Sequence, residues 1–443
     1  MQLRTGECGL RTSHRFLWFF LLSTELMTLS HPLLAEELPG SVQDNGVTLQ
    51  QLLSEAVTNN QQLHAAKQSW EATKLRIPQA WALPDPTGSY MLMGQMIETR
   101  LGPQEQVFEF EQMVPFPGKL MERRSMALAE ANAAQAQMRG IEREVILKVS
   151  ESYYDLYAVD ATLQVVEELK DSLKNLQTIA QARYASEGSS QRDVAKAQTE
   201  VSDTLQRLFV LRQQRQTLTA VLNALLDRDP RSAVGRPLKP QLPTLSSTVE
   251  DLLELVRQHR PELQEAEAQI NRYRHARTLA RFEYMPDLSV GFQYAQIGSG
   301  MTADPDDGKD AWMVPLKITI PLWQNRVIAG VREANRNLQA SQAQSEQAEN
   351  MAEYEVKDAY YRFITAKQIV ELYENALIPQ AGLAFQSDQA GYEAGRVDVL
   401  NVIDSERVYL NAKIAHYQAI ADAMKNFAAL ERAVGIDLVT SDQ

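Results

Sequence analysis

The sequence predicts an α+β membrane protein in which long α-helices form a coiled-coil barrel and four β-strands per chain contribute to a β-barrel shared between chains. Three observations carry this prediction. The chain of 443 residues repeats itself in tandem. Each half contains two alternating segments of about ten residues, the length of a tilted membrane-spanning strand. Each half also contains a very long run of residues that favour helix.

The first segment, 1–35, has the pattern of a secretory signal peptide. Arginines precede an apolar run that ends near Ala35 and gives way to the acidic turn EELPG. This order of charge, apolar run and small residue is typical of a cleaved export signal, with a single transmembrane anchor as the alternative. The only cysteine, Cys8, lies in this segment, so we expect a mature chain without disulfides.

Composition and charge exclude several classes of protein. A hydrophobic fraction of 44% and a charged fraction of 23% are ordinary for a folded chain, which argues against disorder and against a bundle of membrane-spanning helices. The formal net charge is −13, and the absence of a basic stripe argues against nucleic acid as a partner. We see no catalytic constellation and no metal-ligand spacing, so we expect no enzyme, no cofactor and no bound metal.

The internal repeat is visible in four segments that return in the same order. The segment LLSEAVTNNQQL returns as LLELVRQHRPEL, the triplet EAN occurs twice, and YYDLYAVDATLQVVEEL is answered by YYRFITAKQIVELYENA. The Pro-Asp pair Pro84 and Asp85 returns as Pro286 and Asp287. Ordered matches of this kind indicate a tandem duplication.

The duplication divides the chain into five parts. They are the signal peptide 1–35, repeat 1 over 36–230, a Pro-rich linker over 231–248, repeat 2 over 249–436 and a tail over 437–443. We expect each repeat to contain a helix, two strands and a long helical hairpin, in that order.

The helices are predicted from apolar spacing and composition. The first helix of each repeat is expected over about 48–82 and 249–284, where apolar residues recur at helical spacing up to the Pro-Asp pair. The long helical stretches are expected over about 119–185 and 324–393, and at 1.5 Å per residue each would extend roughly 100 Å. Gly188 and Gly395 mark the predicted tips of the two helical hairpins, with Asp193 and Asp398 placed to cap the returning helices.

The strands are predicted from period-two alternation. They are expected at about 87–97, 106–115, 287–297 and 311–321. The third strand carries Leu288, Val290, Phe292 and Tyr294 on one side and small or polar residues on the other. In a membrane barrel we expect such an apolar side to contact lipid and the polar side to line water, whereas in a soluble sheet it would pack on helices.

Four strands are too few to close a membrane barrel. Open strand edges in lipid would leave backbone N–H and C=O groups unpaired, and each unpaired group would cost several kcal/mol of free energy. Other copies of the chain must therefore complete the sheet, and three copies in cyclic symmetry would supply twelve strands.

With these elements in place, the sequence resembles the TolC-like outer-membrane efflux proteins over essentially the whole mature chain. The specific stretches are the two Pro-Asp junctions, the segment GRVDVLNVIDSERVYLNAK from Gly395, and the turns VPFPGKL and IPLWQNR. The FPGK form is most similar to the heavy-metal cation efflux branch, the CzcC-like proteins. The predicted helix–strand junction residues are Pro84, Asp85, Pro286, Asp287, Pro115, Pro117, Gly118 and Pro321.

The resemblance implies a homotrimer with a twelve-stranded barrel in the outer membrane lipid and a helical extension in the periplasm. Such proteins are passive exit ducts that dock with a periplasmic adaptor protein and an inner-membrane pump of the resistance-nodulation-division (RND) class. Heavy-metal cations are the expected cargo. The alternatives are an exit duct for type I protein secretion or drug efflux and, from a different class, a soluble periplasmic coiled-coil scaffold.

The resemblance also indicates where the periplasmic tunnel mouth lies. Alignment on the shared NAK places the acidic mouth positions of the family at Asn401 and Asp404, of which only Asp404 keeps the charge. Asp398 lies one turn earlier and could substitute, since residues three apart share a helix face. A ring of three such aspartates would attract cations and repel anions. The alternative is that Asp398 only caps its helix and Asp404 lies on a solvated surface.

Overall fold

The structure is a computed structural model that describes residues 46–186, 190–301 and 303–438. The predicted signal peptide 1–35, the tip residue Gly188 and the end of the tail lie outside the described residues. Repeat 1 contains α1 Leu49–Asn59, α2 Gln61–Trp81, β1 Thr87–Thr99, β2 Gly102–Val114, α3 Pro117–Ala185 and α4 Gln191–Leu225. Repeat 2 contains α5 Val249–His259, α6 Pro261–Phe282, β3 Asp287–Ile297, β4 Ala311–Met313, β5 Leu316–Thr319, α7 Gln324–Leu372, a π-helical turn Tyr373–Leu377, α8 Ile378–Glu393 and α9 Val399–Val434.

The first helix of each repeat is broken, so the prediction of one continuous helix over 48–82 and over 249–284 is wrong. Asn60 has an extended backbone with φ −60° and ψ 121°, and its side-chain oxygen accepts hydrogen bonds from the backbone N–H groups of Gln62 and Leu63. Arg260 breaks the second helix in the same conformation, and Pro261 follows at the first helical position, where its missing N–H costs nothing. The local capping preference of Asn and Pro outweighs the continuous apolar spacing.

The fourth strand is also interrupted, so the prediction of one strand over 311–321 is wrong. Pro315 separates β4 from β5 because proline has no N–H to donate to the ladder. Its carbonyl still accepts a hydrogen bond of 2.9 Å from the N–H of Gly291. Both pieces keep one register against β3, with Met313 opposite Gln293 and Lys317 opposite Ser289.

The strands form one antiparallel sheet in which β1, β2 and β3 are neighbours in that order and β3 also pairs with β4 and β5. Large apolar side chains occupy alternate positions of each strand, and the pairing brings them together on one face of the sheet, here called the apolar face. Its members include Tyr90, Leu92, Phe108, Phe110, Leu288, Val290, Phe292, Tyr294, Trp312, Leu316 and Ile318. Most of them are exposed, with 74% of Leu316 and 69% of Trp312 accessible.

The opposite face of the sheet, here called the polar face, carries charged, polar and small side chains together with Val107 and the methionines Met91, Met113 and Met313. Lys317 Nζ lies 2.6 Å from a carboxylate oxygen of Glu111 and 3.3 Å from one of Glu109. Ser89 Oγ lies 3.3 Å from the same Glu109 carboxylate. The alternating faces of neighbouring strands therefore coincide in all four strand pairings, while contact of the apolar face with lipid stays a prediction.

The helices pack along α3, which has 69 residues and is about 100 Å long at 1.5 Å per residue. Its first part packs against α2 and α6, and its later part packs against α4 and α9. Small buried residues such as Ala127, Ala131 and Ala136 line the first part, whereas Val149, Leu156 and larger residues line the later part. Within the described ranges, no helix has the length and apolar composition of a membrane span.

Candidate functional site

The end of α3 and the start of α4 lie beside the turn that joins α8 to α9. Gly395, between α8 and α9, has φ 74°, and this left-handed conformation is the reason for glycine at the turn. Its N–H donates to the Tyr392 carbonyl at 3.0 Å. On the other hairpin, Ser190 and Asp193 form a capping box at the start of α4, with reciprocal bonds of 3.3 and 3.1 Å. Local hydrogen bonds therefore hold the turn at Gly395 and the start of α4.

Arg183 joins the two tips, and sequence reasoning missed it. It lies in the last turn of α3, and its guanidinium stacks over the Tyr392 ring at 4.3 Å. It also donates to the backbone carbonyls of Tyr392 at 2.8 Å and Glu393 at 3.2 Å. A basic residue in a last helical turn was the only signal in the sequence, and nothing there indicated its partner.

The predicted tunnel-mouth residues lie at the start of α9. Asp398 occupies the N-cap position, but its side chain makes no capping bond, and it lies 3.8 Å from Arg192 of the other hairpin. Asn401 and Asp404 are exposed on following turns. Asp404 forms an ion pair with Arg407 one turn later. The structure thus brings the three residues together on one exposed stretch of α9, with two arginines close by.

A buried carboxylate lies just behind that stretch. Glu406 is 3% exposed, and burial raises the pKa of its carboxyl, an effect that a hydrogen bond from Ser172 partly opposes. Deeper in α9, burial lowers the pKa of His416, although the charge of Glu374 opposes that shift. These groups face the packed interior of the hairpins rather than the exposed tip.

The helix–strand junctions form the second candidate site. Lys119 of the FPGK turn is buried, and its Nζ donates to both carboxylate oxygens of Asp287 at 3.0 and 2.9 Å. The same carboxylate accepts a hydrogen bond of 2.9 Å from the backbone N–H of Phe116. Lys119 Nζ also lies 3.3 Å from the carbonyl oxygen of Met285. Two motifs that the sequence showed separately, FPGK and the second Pro-Asp pair, therefore meet in one ion pair.

Pro117 and Gly118 determine how the FPGK turn enters α3 and packs against α6. Pro117 is the first residue of α3, where its fixed φ suits the helix. A Cβ added to Gly118 would lie 2.7 Å from Phe282 of α6, and Phe116 packs against the same ring at a centroid distance of 5.5 Å. Glycine thus permits the close approach that brings Lys119 to Asp287.

The other predicted junction residues lie between elements. Pro84 and Asp85 connect α2 to β1, and the carbonyl of Pro84 accepts a hydrogen bond of 2.9 Å from the Gln112 side chain. Pro286 precedes β3, Pro115 is buried after β2, and Pro321 follows β5. Asp85 is exposed, unlike Asp287.

A charged groove lies midway along the helices. Lys425 Nζ of α9 lies 2.7 Å from a carboxylate oxygen of Asp155 and 2.9 Å from one of Asp422, and Lys425 lines two open grooves of about 500 and 770 Å³. Burial alone would lower the pKa of Lys425, but the bonds to the two aspartates outweigh it and raise the pKa. Burial, together with the charge of Asp155, raises the pKa of Glu151 on the groove wall. Among the described residues, no cluster of histidine and carboxylate side chains could hold a metal ion.

Two tandem helical hairpins, each joined to a pair of strands, are also the fold of the solved outer-membrane channel OprN, with a TM-score of 0.74, 18% identity, and coverage of 87% of this chain and 89% of that chain. The particular family follows from its sequence profile. The profile of the family described as outer membrane efflux protein matches residues 52–227 and 252–436, and the chain belongs to this family. The resemblance predicted from the sequence is thereby confirmed.

Several relatives extend this assignment. The chain is 22% identical over 398 residues to the cobalt-zinc-cadmium resistance protein CzcC of Cupriavidus metallidurans, covering 88% of this chain and 90% of that protein. It is 23% identical over 335 residues to the pyoverdine export outer membrane protein OpmQ of Pseudomonas putida, covering 73% of this chain and 68% of that protein. The solved structure of CusC has the same fold, with a TM-score of 0.74, 18% identity, and coverage of 88% of this chain and 92% of that one.

Proposed function

We propose that this protein is the exit duct of a tripartite efflux system of the RND type and that it exports heavy-metal cations by passive transport. The observation that carries the proposal is the similarity to CzcC, which extends over 88% of this chain and 90% of that protein. A match of this extent covers both repeats, so it concerns the whole channel rather than one shared segment.

The sheet supports a pore formed by three copies. Within the described residues of one chain, the sheet ends at β1 on one side and at β4 and β5 on the other, and its apolar face is exposed. Backbone groups at such edges cannot remain unpaired in lipid. Three copies would pair their edges into a twelve-stranded barrel, with the apolar face against the outer membrane lipid and the polar face around the lumen. Glu109, Glu111 and Lys317 would then line the water-filled space.

The hairpin tips support a second part of the proposal, the contact with the other components. Arg183 at the end of α3 bonds the end of α8, and this link between the two hairpins suits a docking end for a periplasmic adaptor and an inner-membrane RND pump. Asp398, Asn401 and Asp404 lie there on one exposed stretch. In a trimer each aspartate becomes a ring of three, which would favour cations at the mouth.

Deletion of the gene tests the cargo. We expect the deletion strain to lose tolerance to zinc, cobalt or cadmium while its tolerance to hydrophobic drugs stays the same, and a plasmid copy to restore the metal tolerance. Copper is measured in parallel to define the range of cations. An unchanged metal profile, with a complementing strain that behaves like the deletion, would contradict the metal assignment.

A second candidate cargo is a small organic chelator, because OpmQ is a similar protein over 73% of this chain. Under this alternative the deletion strain would retain metal tolerance and would secrete less of an iron-binding compound. Measurement of iron-binding activity in culture supernatants of the same strains separates the two cargoes.

A further inference from the structure

The two repeats correspond residue by residue across the sheet. Pro84 corresponds to Pro286 at the start of the first strand, and Val114 corresponds to Ile320 at the end of the second. Under this correspondence β1 is equivalent to β3, and β2 is equivalent to β4 and β5 together.

The observed hairpins obey the correspondence in every pair that can be compared. Four pairs of the first hairpin can be compared: Thr87–Glu111, Gly88–Phe110, Met91–Val107 and Leu92–Gln106. Their equivalents are observed in the second hairpin as Ser289–Lys317, Val290–Leu316, Gln293–Met313 and Tyr294–Trp312. The repeat is therefore accurate at the level of strand register, despite the break at Pro315.

The β2–β3 pairing has no equivalent among the strand pairings of the described chain. β2 pairs with β3, with Met113 opposite Ser289. The equivalent of β2 is β5, and the equivalent of β3 is β1, but within the described sheet β5 and β1 lie at opposite edges. The partner that would complete the repeat must come from a second copy of this chain.

We propose that β5 of one copy pairs antiparallel with β1 of the neighbouring copy in the register that the β2–β3 pair defines. Thr319 then lies opposite Thr87 of the neighbouring copy, and Leu316 lies opposite Tyr90 of the neighbouring copy. This inference rests on the trimer of the proposed function. It specifies which strands and residues meet at the boundary between two copies, here called the seam.

The side chains of the two edges agree with this register. Leu316 and Tyr90 both lie on the apolar face, and Thr319 and Thr87 both lie on the polar face. A slip of one residue would turn every side chain of one strand to the wrong face. The register is therefore consistent with a continuous lipid-facing surface across the seam.

The junction beside the seam differs between the repeats. Inside the chain, Lys119 forms an ion pair with Asp287. The equivalent residues are Asn325 and Asp85, and both are exposed. In the assembly Asn325 of one copy lies at Asp85 of the next, so an amide–carboxylate hydrogen bond replaces the ion pair. The seam between copies is therefore weaker at this point than the equivalent seam inside the chain.

The side chains that follow β5 agree with a junction that the neighbouring copy covers. Leu322 and Trp323 are 76% and 80% exposed in one chain, although their equivalents Phe116 and Pro117 lead into the packed start of α3. By the same correspondence they lie over the end of α2 of the neighbouring copy, where Trp81 is half exposed.

Cysteine cross-linking tests the register. The variant Thr319→Cys/Thr87→Cys, made in a Cys8→Ser background, is oxidised in isolated outer membranes and run on non-reducing denaturing gels. We expect covalent dimers and trimers, with a yield within roughly twofold of the matched control, because paired cross-strand positions bring Cβ atoms close enough for a disulfide. The control is Met113→Cys/Ser289→Cys, which occupies the equivalent pair within one chain and should cross-link without forming dimers.

A second pair measures slippage. Thr319→Cys/Ser89→Cys becomes paired only if the strands slide by two residues, and we expect its yield to be lower by roughly fivefold or more. A slipped pair that cross-links as well as the proposed pair would overturn the register. So would a trimer on size exclusion that forms no Thr319–Thr87 cross-link while the control does. A monomer on size exclusion without any intermolecular cross-link would instead overturn the assembly and, with it, the proposed function.

The weak junction has its own test. Asn325→Lys should restore the ion pair with Asp85 of the neighbouring copy and raise the temperature at which the trimer dissociates on denaturing gels. The added change Asp85→Asn should remove that gain. A dissociation temperature that Asn325→Lys leaves unchanged or lowers would contradict the junction contact.

Discussion

Replacement of Lys119 by methionine tests whether the buried ion pair holds the start of α3 to the start of β3. The Lys119 side chain is 4% exposed and that of Asp287 is 18% exposed, with their charged atoms 2.9 Å apart. Methionine keeps most of the volume and removes the charge. Asp287 would then retain only the hydrogen bond from the Phe116 N–H among the bonds described above.

The expected cost follows from that geometry. Removing one partner of a buried pair costs about 3 to 5 kcal/mol because the other charge is left uncompensated. The remaining backbone bond and the partial exposure of Asp287 lower this figure. We therefore expect Lys119→Met to reduce the free energy of unfolding by about 2 to 4 kcal/mol.

The assay is urea unfolding of the purified protein in detergent, followed by circular dichroism at one fixed protein concentration because assembly contributes to apparent stability. The control is Lys74→Met, since Lys74 pairs with Glu71 on an exposed helix surface where both side chains are more than 40% accessible. Such a pair contributes at most about 1 kcal/mol. The double variant Lys119→Met/Asp287→Asn should recover part of the loss. A Lys119→Met loss no larger than that of the control would refute the reasoning.

Three further predictions concern the junction, the hairpin interior and the mouth. Gly118→Ala should lower the free energy of unfolding by about 1 to 3 kcal/mol, since its Cβ would lie 2.7 Å from an aromatic carbon of α6; Gly330→Ala, whose Cβ meets no atom within 4 Å, should not lower it. Burial raises the pKa of Glu406 in the folded state, so wild-type stability should fall as pH rises through and above the ordinary glutamate range, and Glu406→Gln should gain melting temperature over wild type in that window. A gain that shrinks as pH rises would contradict this sign. Asp398→Asn/Asp404→Asn should reduce cation selectivity in single-channel recordings without changing assembly, and unchanged selectivity would remove the ring from the mechanism.

Local pattern alone predicted a large part of the fold. The observed β1 covers Thr87–Thr99 and β3 covers Asp287–Ile297, against predictions of about 87–97 and 287–297, because alternation with a period of two is a property of each strand by itself. The observed α3, Pro117–Ala185, agrees with the predicted 119–185 for the same reason, since helix-favouring composition acts residue by residue.

The errors arose where one residue competes with a longer pattern. Apolar spacing continues through Asn60, yet its side chain caps the next helix and ends the first. Alternation continues through Pro315, yet its missing N–H interrupts the ladder. In both places a single local hydrogen-bonding preference outweighed a pattern that was otherwise correct.

The sequence by itself determined the tandem repeat, the helix and strand content and the family, because these depend on order and periodicity along the chain. Only the tertiary structure decided which distant residues meet. Lys119 reaches Asp287 across 168 positions, and Arg183 reaches the Tyr392 carbonyl across 209. Each contact exists because long helices run back alongside one another, and no local pattern records which turn of one helix lies beside which turn of another.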